Sequence, residues 1–355
     1  MTSSRRLPAL LSGAVALSLV LSGCSLIEQA VTSAGEGVIA HAALSRMVSE
    51  LAELEGVNEA SYDYTSDSAS RNVGDVSVIA TPEVHSAQLE RIAEQFRGGY
   101  TGVEQAAFLP RFTLELADNP AGALETQGLP ESAEAFVANF EFWRAVSTAA
   151  GTELSVNVQT VDGFGGNSRS VFVPDESDFD AAADRVVENY AALQQLASES
   201  EPNRTSWFVA GIYSPEELAP LEFVELVTDL RAVIPLRDNS KVGDSSFGDA
   251  DYPEGFTATW ATPGVLDGIS EISVSSNEYS DEAWQKALAA ATRTGQFENV
   301  NFLFRAGDRG FSFHTSACSG LVEAAANDDI FFQAVSSSGA QLALGAGPGV
   351  CFPEQ

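Results

Sequence analysis

Stretches with apolar residues at every third or fourth position alternate with pairs of short stretches in which every second residue is apolar. This succession occurs three times along the chain. The two periods belong to helices that bury one stripe and strands that bury one face, so helices must be laid against a sheet. In the first block Leu44, Met47, Leu51 and Leu54 share helical spacing, and Gly56 stops the helix. Ala60, Tyr62 and Tyr64 alternate, and Val76, Val78 and Ala80 form their partner strand. Ser86 is placed to cap a helix carrying Leu89, Ile92, Ala93 and Phe96, and a strand follows from Phe108 to Leu116.

The second block has the same order. A helix over 135–149 carries Phe136, Phe140, Trp143 and Val146 and ends at Gly151; strands contain Leu154, Val156, Val158 and Val171, Val173. A long helix capped by Ser177 or Asp178 follows, and Trp207 to Tyr213 reads as one closing strand. The third block is looser. It has a helix over 218–233, a polar insertion, strands around Phe256–Trp260 and Ile272–Val274, a helix capped by Ser280 and ended by Gly295, and a strand from Val300. A helix preceding strand-strand-helix-strand predicts an α+β fold: repeated helix-strand-strand-helix-strand units, akin to ferredoxin-like ones, with antiparallel sheets and helices on one face. The units divide at 41–125, 126–213 and 214–355. The last includes a strand at Phe311 and Phe313, a helix from Leu321 and a final strand near Leu342.

Of the 355 residues 45% are hydrophobic, enough for real cores. Fifty acids against 18 Lys and Arg give a net charge of -32. That balance excludes nonspecific nucleic-acid binding, which needs a cationic surface to neutralise phosphates. Anionic lipid headgroups and polymers are repelled for the same reason.

The N-terminus carries Arg5 and Arg6, an apolar run from Leu7 to Leu21, and then Leu21-Ser22-Gly23-Cys24. The run is shorter than the ~20 residues that span a bilayer and contains Pro8. Leu-Ser-Gly-Cys resembles the lipobox of bacterial lipoproteins. The resemblance implies a signal peptide over 1–23, cleavage before Cys24, and a palmitate-type diacylglycerol on the Cys24 thiol. Residues 24–40 then form a tether, and the protein is anchored by lipid to the extracytoplasmic face of the cell membrane. The use of Arg over Lys, with only Lys241 and Lys286 in the chain, is similar to that of high-GC, actinobacterial proteins. Outside the cytoplasm the two remaining cysteines, Cys318 and Cys351, are expected to form a disulfide. Closing a loop of about 33 residues, it contributes roughly 3–4 kcal/mol in the chain-entropy model.

Candidate chemistry is sparse. His41, His85 and His314 stand apart, and no Gly-x-Ser-x-Gly elbow exists. His314 is four residues from Cys318 but lacks the companions of a zinc site. Gly345-Ala346-Gly347-Pro348-Gly349 and Gly163-Phe164-Gly165-Gly166 read as turns rather than phosphate loops. Asp244, Asp249, Asp251 and Glu254 form a weak calcium candidate that lacks the EF-hand spacing. Trp143, Trp207, Trp260 and Trp284 all fall on apolar faces and read as core. The expectation is therefore a binding or interaction protein without catalytic activity or cofactor, its partner an envelope protein or a small molecule. The alternatives are a solute-binding lipoprotein of a transporter, which calls for two lobes around a cleft, and a cell-envelope hydrolase, which calls for paired carboxylates.

Overall fold

The computed structural model describes residues 40–65, 72–101, 108–161, 166–174, 179–199, 205–235, 255–261, 270–297, 300–307, 309–315 and 337. They form seven helices and one twelve-stranded sheet whose strands lie in chain order. Helix α1 (40–52) precedes the hairpin β1 (Val57–Thr65) and β2 (Asn72–Ala80). Helix α2 (Ser86–Thr101) leads to β3 (Phe108–Leu116) and β4 (Asn119–Gln127), and α3 (Ala133–Ala150) to β5 (Ser155–Val161) and β6 (Gly166–Phe172). The pair α4 (Phe179–Glu188) and α5 (Tyr190–Glu199) leads to β7 (Thr205–Val209) and β8 (Ile212–Ser214). Helix α6 (Leu221–Arg231) leads to β9 (Gly255–Thr259) and β10 (Ser270–Ser276), and α7 (Asp281–Thr294) to β11 (Val300–Ala306) and β12 (Arg309–His314).

Helices and strands thus combine as the periodicity predicts, but the antiparallel ferredoxin-like unit does not describe the sheet. Each hairpin is antiparallel internally, and each helical crossover joins it in parallel to the next hairpin, as in β2–β3, β4–β5 and β10–β11. The repeating element is one hairpin and one helix, begun at Val57, Phe108, Ser155, Thr205, Gly255 and Val300, about every 50 residues. The boundaries drawn at 125/126 and 213/214 fall inside β4 and β8, and the ladder runs through both.

Two strands account for the doubled period read from the sequence. Strand β4 opens with Asn119-Pro120-Ala121-Gly122, a composition that signals a turn. Strands β7 and β8 meet at Ala210 (φ 53°) and Gly211 (φ 81°), a two-residue turn with both central residues in the left-handed region. Ala-Gly is not a usual hairpin signal, so 207–213 reads as one strand.

One face of the sheet is largely apolar. Val76 lies beside Phe112, Val156 beside Val171, Val171 beside Trp207, and Ile272 beside Phe302. These residues are buried under the helices. Phe112 is packed from both sides, at 4.7 Å from Phe96 of α2 and 5.5 Å from Phe136 of α3. Those two helices therefore share a face, although β2 and β4, the strands that feed them, run in opposite directions. Consecutive crossovers then have opposite hands, and one of each pair has the hand that strand twist disfavours.

Local signals hold the helices in place. Ser132 and Ser280 accept hydrogen bonds from the N–H groups of Ala135 and Ala283, and Gly151 (φ 67°) ends α3. At α2 the cap is His85 rather than Ser86, because Gln88 Oε1 accepts from the His85 N–H at 3.1 Å while the Gln88 N–H donates to the His85 carbonyl. The long helix expected from 177 is divided at Asn189, whose Nδ2 donates to the Arg185 carbonyl. Arg231 of α6 joins Asp180 and Asp184 of α4, each at 3.0 Å. Trp143 and Trp207 are buried, and Trp260 and Trp284 pack against the core, as the sequence predicts. The Tyr190 hydroxyl donates to the Ala219 carbonyl at 2.8 Å, and burial pushes its phenol well above the usual range.

Gly122 sits where β4 meets β5, and a Cβ there would lie 2.7 Å from the Leu154 carbonyl oxygen. That oxygen accepts the Trp143 indole N–H at 2.6 Å. Gly122→Ala is expected to cost about 2 kcal/mol through this backbone clash. Urea unfolding followed by tryptophan fluorescence measures it, and an unchanged midpoint contradicts the close approach.

Candidate functional site

Among the described residues the second face of the sheet carries no helix. Residues that alternate with the core positions line up across the strands: Asp63, Asp75, Arg111 and Gln127 in one row, and Ser61, Ser77, Thr113 and Glu125 in the next. Further along, Phe172 lies beside Phe208, Phe208 beside Tyr213, Tyr213 beside Thr259, and Thr259 beside Glu271. Glu271 is paired with Asn301. Because side chains alternate along a strand, burying the helix-facing residues places all of these on the open face.

Side-chain contacts give this face order. Asn157 Nδ2 donates to Glu125 Oε2 at 2.9 Å, and the hydroxyls of Ser170 and Ser206 are 2.9 Å apart. The Arg111 Nε is 3.4 Å from Asp75 Oδ1. Burial pushes the Asp75 carboxyl up, Arg111 pulls it down, and the facing Asp63 pushes it up again. Burial raises Glu271 likewise, against the pull of Arg305. The rings of Phe208 and Tyr213 stack at 4.4 Å with 26° between their planes, and Phe208 is 36% exposed. Among the described residues large exposed apolar side chains are few, so an aromatic row near the middle of the sheet stands out from its polar surroundings.

The residues singled out from the sequence do not converge here. His41, on α1, meets the rings of Tyr62 at 5.9 Å and Tyr64 at 5.1 Å on the helix side. His85 is an exposed helix cap, and His314 belongs to β12 at the far edge. Cys24 and the segments around it, the pair Cys318 and Cys351, and Asp244, Asp249, Asp251 and Glu254 lie outside the described residues. Among the described residues no three His, Cys, Asp or Glu are grouped to hold a metal ion, and no helix is long and apolar enough to cross a membrane. A cleft of about 340 Å³ at the C-terminal end of α3 is lined by Asp118, Arg144, Thr148 and Glu153. One of about 230 Å³ at the start of α7 is lined by Ser275, Ser280 and Lys286. No protein-family model matches the chain, and no characterised protein or solved structure is similar to it.

The open face was missed in the sequence because its residues are ordinary one by one. Phe172, Phe208 and Tyr213 belong to three strands, and only the register joins them. The available signal was phase: Phe172 and Phe208 fall between the buried positions Val171, Val173 and Trp207, Val209.

The raised Glu271 carboxyl has a definite consequence for stability. Its folded state holds a proton more tightly than the unfolded chain does, so stability is greatest below the ordinary carboxylate range and falls as pH rises through the folded value. Glu271→Gln is expected to raise the melting temperature at neutral pH, with the gain fading on acidification. A gain independent of pH, or a loss at neutral pH, contradicts burial as the dominant influence.

Proposed function

We propose that this chain is a lipid-anchored, extracytoplasmic binding protein without catalytic activity, and that the open sheet face is the surface it presents to an envelope protein. The observation that supports the reading is the open face itself: twelve strands in one sheet, with every packed helix among the described residues on the opposite side. A sheet covered on one side only presents a broad, preordered surface, and the hydrogen-bonded rows across it hold side chains in fixed positions at little entropic cost on binding. The described strands form one sheet rather than two lobes about a cleft, which favours this reading over a solute-binding one. The anchor rests on Leu21-Ser22-Gly23-Cys24, and the acidic surface keeps the body off an anionic membrane.

The test has two parts. Cys24→Ala is expected to abolish labelling by a palmitate analogue and to move the protein from the membrane fraction to the soluble fraction. A photo-reactive residue at Thr113, on the open face, is expected to give a discrete cross-linked species in intact cells, and one at Glu188, exposed on α4, is expected to give none. Label retained after loss of Cys24 overturns the anchor. Adducts from Glu188 alone overturn the assignment of the binding face.

A further inference from the structure

The cross-strand register brings Phe172, Phe208 and Tyr213 together on β6, β7 and β8, near the middle of the twelve strands. Below this row, on the same face, are the joined hydroxyls of Ser170 and Ser206. The rim on both sides is acidic. Glu115, on β3, lies three strands from Phe172, and Glu271, on β10, lies two strands from Tyr213. At about 4.8 Å per strand these carboxylates are roughly 15 Å and 10 Å from the aromatic row. Among the described residues the face carries six acids, Glu59, Asp63, Asp75, Glu115, Glu125 and Glu271, against Arg111 and Arg305.

An aromatic centre inside a polar, charged rim is the anatomy of a protein-binding hot spot. We infer that the Phe172–Phe208–Tyr213 row is the contact centre for a cationic polypeptide, whose Lys and Arg side chains meet the acidic rim and whose apolar or Arg side chains cover the rings. The inference rests on the open face being the binding face and adds the chemistry of the partner.

Charge selects among the possible occupants. A second copy of this chain brings another -32 charges, so pairing open face to open face is opposed. Nucleic acid and other polyanions are repelled in the same way. A small neutral ligand needs concavity, whereas this face is a sheet surface and the rings of Phe208 and Tyr213 stack on each other. A basic chain gains from both features: opposite charge steers the encounter, and Arg or Lys over an aromatic face adds a cation–π contribution.

The inference is tested on the detergent-solubilised full chain with two fluorescent probes, a peptide alternating Lys and Leu and its counterpart alternating Glu and Leu. Anisotropy is read at low and at physiological salt. The Lys peptide is expected to bind at least tenfold tighter than the Glu peptide. Phe208→Ser and Tyr213→Ser are each expected to weaken the Lys peptide tenfold or more at physiological salt, with melting temperature and circular dichroism retained. Phe208→Trp, which keeps the ring, is expected to restore binding. Glu115→Gln with Glu271→Gln is expected to weaken binding and flatten its salt dependence. If a serine variant fails to fold, Phe208→Trp and the carboxylate pair carry the test.

Lys-peptide binding that is indifferent to the ring substitutions and vanishes at physiological salt is general acidic attraction, and it overturns the inference. Equal affinity for both probes overturns it as well. Cross-linking from Thr113 that persists while both peptide results fail leaves the open face as a binding surface with a partner of different chemistry. Loss of that cross-link removes the reading on which the inference rests.

Discussion

Apolar side chains on one face of every strand are the constraint from which the remaining structure follows. The ladder carries Val76 to Phe112, Val156 to Val171, Val171 to Trp207 and Ile272 to Phe302 without a change of face. A slip of one residue in any pairing would turn that strand's core side chains to solvent and its polar side chains into the helix layer. The six hairpins are thereby held in one phase, and the helices have only one side on which to pack. The same phase that buries Phe112 between α2 and α3 exposes Arg111 and Thr113 on the other side.

The cost of this architecture lies in the connections. A hairpin reverses the chain before each crossover, so successive helices start from strands of opposite direction and still return to the same face. Every second crossover must take the hand that strand twist disfavours. The helix layer supplies the compensation. Adjacent helices touch along the layer, with α2 against α3, α3 against α5 and α6 against α7. Aromatic side chains from the helices contact the sheet at Phe112 and Trp207. Each such ring removed from water contributes roughly 1.5–3 kcal/mol. Parallel pairing between hairpins also makes the fold depend on contacts distant in sequence, a route to slow folding.

The two faces of the sheet are held in different ways. The helix side is held by packing and by the Arg231 bridges to Asp180 and Asp184, with modest clefts at the end of α3 and the start of α7. The open side is ordered by hydrogen bonds between neighbouring strands rather than by a covering layer.

Much of the local structure was legible from the residues alone. The helices over 135–149 and from Ser280 to Gly295, the strands containing Val76, Val156 and Phe302, and the burial of Trp143 and Trp207 follow from periodicity and capping, which act over neighbouring residues. Pairing is not local. The Asn-Pro-Ala-Gly start of β4 and the Ala210-Gly211 turn concealed two strands, and with them the true repeat and its parallel junctions. The candidate site was the least legible part, since Phe172, Phe208 and Tyr213 become neighbours only through the register of three strands. The sequence by itself determined which residues face away from water and where helices begin and end, because both depend on short-range patterns. Tertiary structure alone decided which strands adjoin and what the opposite face presents, because hydrogen-bonded register is a relation between residues far apart in the chain.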